Sequence, residues 1–150
     1  MTKKNSIDKD DTGRVDRSDK MKPADPSDNL KVDPPALKLD PSEIIKSTPH
    51  IIVEIIEYCD NCVVIKTILR KSTGDVSVLS FAAGEGSAEK TTPFDTFLQI
   101  IEGKAEVFID GKSNILLTGQ GIVVPAHRSN SIKPNGQFKM ISTVIKSGYE

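Results

Sequence analysis

Few side chains in this chain of 150 residues belong to the types that usually carry out catalysis or bind metals. The sequence contains two histidines, His50 and His127, and two cysteines, Cys59 and Cys62. A transition-metal site needs several imidazole, carboxylate or thiolate groups that converge on one point. No Ser-His-Asp or Cys-His arrangement can be argued either, because His127 has no identifiable nucleophile as a partner. These residue types give no positive sign of a conventional metal or hydrolase centre.

The two cysteines have C-x-x-C spacing, which is compatible with several kinds of site. One such pair cannot complete a structural zinc site, which needs four ligands. A thioredoxin-like redox pair should begin a helix, but here the β-branched run from Val63 follows, which predicts a strand. Asp60 and Asn61 between the cysteines indicate a plain turn. We therefore expect two reduced thiols in a cytoplasmic protein.

Composition divides the chain at about residue 40. Five of the nine prolines lie at or before Pro41, and the first aromatic residue is Tyr58. A mixed-charge segment without aromatics cannot bury enough apolar area to offset its ordering entropy. We predict a disordered, flexible arm at residues 1–40 and a folded domain at residues 41–150. Asp40 and Pro41 predict the start of a short helix, and the β-branched residues of 51–58 favour a strand over a helix.

Net charge and hydropathy exclude several classes of partner. The formal net charge is -1, which gives no electrostatic argument for binding nucleic acid or an anionic membrane. No apolar run approaches the ~20 residues that span a bilayer, and the basic residues near Met1 are not followed by the apolar stretch of a secretory signal. We expect partners that are neither nucleic acid nor membrane.

Beyond Cys62 the pattern is that of β structure. Short apolar runs alternate with turn residues, which is typical of an antiparallel sandwich or barrel. The Asp110-Gly111 pair is the strongest hairpin signal, because a type I′ turn needs positive φ. Residues 87–93 are interpreted as a loop. The predicted strands are 63–69, 76–81, 94–101, 105–109, 115–117, 121–124 and 137–145.

Glycines and prolines at the predicted turns also carry a resemblance. The first set is Gly84-Glu85-Gly86, Pro93-Phe94-Asp95 and Glu102-Gly103, and the second is Gly119 followed by Pro125 six positions later. Together with Gln137-Phe138-Lys139-Met140, these resemble the motifs of small single-domain cupins of the RmlC-like superfamily. The resemblance covers about residues 63–146. It implies an all-β double-stranded β-helix, a jelly-roll barrel.

The resemblance also implies where metal ligands would lie, and this chain departs there. Metal-binding cupins hold a divalent metal with two or three histidines and a glutamate. Lys90 and Asn130 stand where this subgroup commonly has histidines, and Thr96 or Phe97 stands at the glutamate position. We therefore expect no cofactor and disfavour a divalent metal.

The leading hypothesis is a metal-free cupin barrel that binds a small molecule without established catalysis. Lys90 would pair with an anionic group and Asn130 would hydrogen-bond to the ligand. The candidate ligand-binding residues are Lys90, Asp95, Gln99, His127 and Asn130, with Thr96 as a further polar candidate.

Two alternatives remain open at this point. One is a metal-dependent or atypical cupin enzyme of small-molecule metabolism, of the isomerase or oxygenase type, using His127, Asp95 and Lys90. The other is a regulatory or assembly module whose arm contacts a partner. The resemblance further implies a homodimer, and residues 51–58 are the candidate for an exchanged strand.

Overall fold

The computed structural model describes residues 36–148, which form ten β-strands and one short 3₁₀ helix at Ile52–Glu54. The strands are β1 (Ala36–Asp40), β2 (Cys62–Lys71), β3 (Gly74–Phe81), β4 (Ser87–Thr91), β5 (Asp95–Glu102), β6 (Lys104–Ile109), β7 (Lys112–Leu117), β8 (Gly121–Val124), β9 (Ser129–Ile132) and β10 (Phe138–Ile145). The predicted all-β fold class is confirmed. Among these residues, no helix has the length and apolar character to cross a membrane.

The strands form two sheets that enclose one apolar core. The larger sheet has the order β1-β2-β3-β10-β5-β8, and the smaller has the order β4-β9-β6-β7. Alternate residues of each strand point inward, as a period of two requires. The core contains Phe81 and Phe138, whose rings stack at 4.6 Å, together with Ile100 and Val107, which are fully buried.

The predicted hairpin joins β6 to β7. Asp110 and Gly111 both have positive φ, 51° and 80°, as a type I′ turn requires. The pairing runs from Ile109 opposite Lys112 to Lys104 opposite Leu117. The turn residues therefore set the register that directs Val107 into the core.

The structure differs from the sequence-based expectation between residues 36 and 58. Residues 36–40, assigned to the flexible arm, form β1, which pairs in parallel with β2. Residues 1–35 of the predicted arm lie outside the described residues. No helix begins at Asp40; its carboxylate instead accepts hydrogen bonds from the backbone N–H and hydroxyl of Ser42 at 3.1 and 2.5 Å. This is the bond of an Asx turn, and no helix follows it before residue 52.

Residues 52–58 form the 3₁₀ helix and an extended segment rather than the expected strand. They pack on the face of the larger sheet that points away from the core. The buried ammonium of Lys139, 8% exposed, donates to the carbonyl of Val53 at 2.7 Å and lies 4.9 Å from the centre of the Tyr58 ring. Tyr58 in turn donates to Glu102 at 2.5 Å. Burial and then this hydrogen bond raise the pKa of Tyr58 above its usual range.

The expectation of two free thiols is wrong in this structure. Cys59 and Cys62 form a disulfide across the Asp60-Asn61 turn. Asn61 adopts a positive φ of 57°, and the Cys62 N–H donates to the Cys59 carbonyl at 3.1 Å. The turn brings the two sulfurs together, and spacing alone did not predict that they would bond. The disulfide lies where β2 begins, with Cys62 paired to Ala36 of β1.

Candidate functional site

A cavity of about 400 Å³ lies between the two sheets. Its apolar wall comes mainly from the larger sheet, where the inward positions of β3, β5, β8 and β10 meet. These side chains are Leu79, Leu98, Val124, Met140 and Val144. A volume of this size is at the lower end of the range for small-molecule sites.

The polar wall comes from β4 and β9 of the smaller sheet. Lys90 and Asn130 lie directly opposite each other in the antiparallel pairing of these strands, and both line the cavity. Asn130 is 7% exposed, and its Nδ2 donates to the carbonyl oxygen of Lys90 at 3.3 Å. Lys90 is exposed toward solvent. Within residues 36–148, its ammonium has no hydrogen-bond or ion-pair partner.

Two further charged side chains lie at the edge of the cavity. Lys146 pairs with Asp75 at 3.2 Å, joining the chain after β10 to the start of β3. The hydroxyl residues Thr96 and Ser142 also line the cavity. The cavity lining thus carries two lysines and one carboxylate, and Lys90 is the lysine without a carboxylate partner in the described part of the chain.

A loop at residues 92–94 also lines the cavity. Two backbone N–H groups from the turn after β8 donate hydrogen bonds to this loop and to Asp95 beside it. The N–H of His127 donates to the carbonyl of Thr92 at 2.7 Å, and the N–H of Ala126 donates to Oδ1 of Asp95 at 2.7 Å. His127 adopts a left-handed φ of 68°. These contacts position Phe94 and its neighbours against the cavity, so we assign Asp95 a positioning role.

A polar network supports β9 on the side away from the cavity. Asp110 accepts from the Arg128 guanidinium at 2.6 Å and from the Ser129 N–H at 3.2 Å. The hydrogen bond from Arg128 and, after it, that from Ser129 lower the pKa of Asp110. The Ser129 hydroxyl also donates to Glu89 of β4. This network fixes the strands that present Lys90 and Asn130.

Comparison with known proteins gives the fold family. No family model and no curated protein matches the chain. A cupin superfamily protein from Desulfitobacterium hafniense matches with a TM-score of 0.65 and 27% identity, covering 69% of this chain and 95% of that one. A cupin 2 conserved barrel domain protein from Leptotrichia buccalis matches with a TM-score of 0.61 and 26% identity over 63% of this chain. The chain adopts the cupin fold.

Another solved structure has the same fold as this cupin barrel but a lower sequence identity to it than the two above. A conserved protein of unknown function from Streptococcus pyogenes has a TM-score of 0.66 at 21% identity, covering 71% of this chain and 94% of that one. The chain spans 46% of the Leptotrichia buccalis protein. The solved relatives therefore establish the architecture that the glycine and proline motifs predicted.

The side chains of this cupin barrel do not fit the divalent metal that the resemblance implies. The cavity is lined by one carboxylate, Asp75, which is already paired with Lys146, and by no imidazole or thiol. Across residues 36–148, no three His, Cys, Asp or Glu side chains gather as a metal site would require. A lysine ammonium next to the cavity would repel a cation. We derive no metal-dependent step.

The five predicted site residues separate into two groups. Lys90 and Asn130 line the cavity, as does Thr96. Asp95, Gln99 and His127 do not line it. The Gln99 side chain donates to the Gly119 carbonyl at 3.3 Å instead.

The cavity also has lining residues that the sequence prediction missed. Asp75, Ser142 and Lys146 line it. The alternation along β10 could have identified Ser142 and Lys146, since they share the inward face with Met140.

Proposed function

We propose that this cupin barrel binds a small anionic molecule in the cavity between its sheets and does so without a metal. The observation that carries the proposal is the ammonium of Lys90, which lies on the wall of a largely apolar cavity and has no partner within residues 36–148. A ligand carboxylate or phosphate would give this ammonium a partner in surroundings where charge pairs are stronger than in bulk water.

The size of the cavity limits the ligand. A volume of about 400 Å³ holds about a dozen water-sized groups at about 30 Å³ each. The lining supports a molecule whose charged end faces β4 and β9 and whose apolar part contacts Leu98 and Met140. Lys146 is the weaker candidate for the anion, because binding there would compete with Asp75.

A thermal-shift screen of small carboxylates and phosphates tests the proposal. We expect some of these acids to raise the melting temperature of the wild type, and we expect Lys90→Met to abolish that shift. Lys104→Met is the matched control, because Lys104 is exposed on β6 and does not line the cavity. Because Lys90 is exposed, salt should screen its pairing with the anion. The shift in melting temperature should therefore weaken as the salt concentration rises from about 0.05 to about 0.5 M.

The same experiment can contradict the proposal. If the wild type and Lys90→Met are stabilised equally by every active acid, Lys90 does not bind the anion. Metal analysis of protein purified without chelator tests the metal-free part separately. A stoichiometric transition metal in the wild type would overturn it.

A further inference from the structure

We infer that the ligand is a hydroxycarboxylate with a compact apolar body, in which a hydroxyl lies next to the carboxylate. This inference rests on the proposed function and adds the chemistry that Asn130 would recognise. The side chain of Asn130 is 7% exposed and lines the cavity.

Among the described residues the side-chain amide of Asn130 makes one hydrogen bond, and its orientation follows from that bond. The partner of Asn130 is the carbonyl oxygen of Lys90, at 3.3 Å, and a carbonyl can only accept. The amide nitrogen must therefore face Lys90, which leaves Oδ1 as an acceptor. Within residues 36–148, no group donates to that oxygen. Its neighbours on the inner face are Ile132 along β9 and Ile109 across β6, neither of which can donate from its side chain.

A buried acceptor without a donor is costly, so a bound molecule that donates to it is favoured. That donor has to lie close to the anionic group of the ligand. Lys90 and Asn130 are direct partners across two antiparallel strands, and residues so placed have Cβ atoms about 4.5–5.5 Å apart on one face. One ligand can therefore contact both side chains through adjacent groups.

The neighbouring lysine also selects the type of donor. A hydroxyl donates to Oδ1 without adding charge. An ammonium in the same place would lie beside the Lys90 ammonium and be repelled by it. The pair thus favours a 2-hydroxy acid over the corresponding 2-amino acid. The facing wall of Leu98, Val124 and Met140 provides an apolar surface for the rest of the molecule.

Isothermal titration calorimetry with four related probes tests this inference. The probes are phenyllactate, 3-phenylpropionate without the hydroxyl, phenyllactamide without the charge, and phenylalanine with an ammonium in place of the hydroxyl. We expect the wild type to bind phenyllactate about tenfold more tightly than 3-phenylpropionate, and to bind phenyllactamide and phenylalanine more weakly still. The comparison within the wild type needs no variant to fold.

Two variants then assign the contacts. Asn130→Leu should reduce the preference for phenyllactate to less than about twofold, because the acceptor is gone while the branched shape with four heavy atoms is kept. Lys90→Met should weaken both acids and leave phenyllactamide unchanged. A preference for the hydroxyl that persists in Asn130→Leu would overturn the role of Asn130.

The outcomes also separate this inference from the proposed function. Equal binding of phenyllactate and 3-phenylpropionate, with both dependent on Lys90, would overturn the hydroxycarboxylate class and leave the anion site standing. Tighter binding of phenyllactamide than of either acid would overturn the anion site itself. The absence of binding by all four probes would overturn the ligand class. The thermal-shift screen of carboxylates and phosphates would then test the proposed function by itself.

Discussion

Gly86 lies just before β4, where the chain passes very close to the end of β9. A Cβ at this position would be 2.3 Å from the carbonyl oxygen of Ile132 and 2.8 Å from the nitrogen of Pro134. Both are backbone atoms, so neither can move aside cheaply. The absence of a side chain therefore allows the close approach that sets β4 beside β9, and with it the position of Lys90.

The substitution Gly86→Ala should accordingly destabilise the barrel by about 1–3 kcal/mol, the usual cost of overpacking. Gly136→Ala is the control, because a Cβ there would have no heavy atom within 4 Å and its effect should stay within about 1 kcal/mol. Urea unfolding followed by circular dichroism measures both. Equal losses in the two variants would contradict the role assigned to Gly86.

Of the five candidate ligand-binding residues that the sequence indicated, two line the cavity. Lys90 and Asn130 were identified because a resemblance marked their positions, and they do line the cavity. His127 and Asp95 were selected for their chemistry, but the side chain of Asp95 accepts a backbone N–H and the positive φ of His127 places it in a turn. Residue type does not reveal whether a polar side chain already makes a hydrogen bond to the backbone.

Among the elements, periodicity predicted neither β1 nor the two strands of the polar wall, β4 and β9. The sequences of β4 and β9, SAEKT and SNSI, contain one β-branched residue each and no aromatic residue, which is too few for a strand prediction. They are strands because they pair with each other, and β9 also with β6. The apolar strands β2, β3, β5 and β10 were predicted because their own residues carry the pattern. The polar wall of the cavity thus depends on tertiary pairing that no local signal encodes.

The segment at residues 52–58 gives a prediction at the same scale. Lys139→Met should destabilise the protein by about 1–3 kcal/mol, because the carbonyl of Val53 loses its buried donor and the Tyr58 ring loses its cation. Hydrogen exchange at residues 52–58 should also accelerate. Lys133→Met is the control, since Lys133 is exposed and lies 3.8 Å from Glu106, and such pairs contribute about 1 kcal/mol at most. Unchanged exchange in Lys139→Met would show that the lysine does not hold the segment.

For the molecule as a whole, the homodimer remains a prediction. Residues 51–58 do not form the strand that was expected to be exchanged. The exposed large apolar residues between β1 and the 3₁₀ helix are Leu37 and Leu39 on β1, followed by Ile45 and Ile51. Light scattering of the full chain should give twice the monomer mass at micromolar concentration, and Leu37→Ser with Leu39→Ser should lower it. A monomer at every concentration of the wild type would refute the dimer.

The overall architecture could be predicted because turns and strand patterns repeat along the chain. The Asp110-Gly111 turn, Gly103 and Gly119 all have positive φ, which glycine adopts without steric cost, so the glycines in the sequence mark these turns. The disulfide and the parallel pairing of β1 could not be predicted in this way. Both depend on which segments meet in space, and neither the C-x-x-C spacing nor the apolar pattern of β1 specifies its partner.

The place of β10 in the larger sheet has a consequence for how the protein is made. β10 is the last strand in sequence, yet it pairs with β3 on one side and β5 on the other. Until Phe138–Ile145 has left the ribosome, β1-β2-β3 and β5-β8 have no strand between them, and the core lacks Phe138 and Met140. Pairings of such long sequence separation also form slowly. We expect the nascent chain to remain open to proteases and chaperones until residues 138–145 have emerged, and to become resistant only once β10 can pair with β3 and β5.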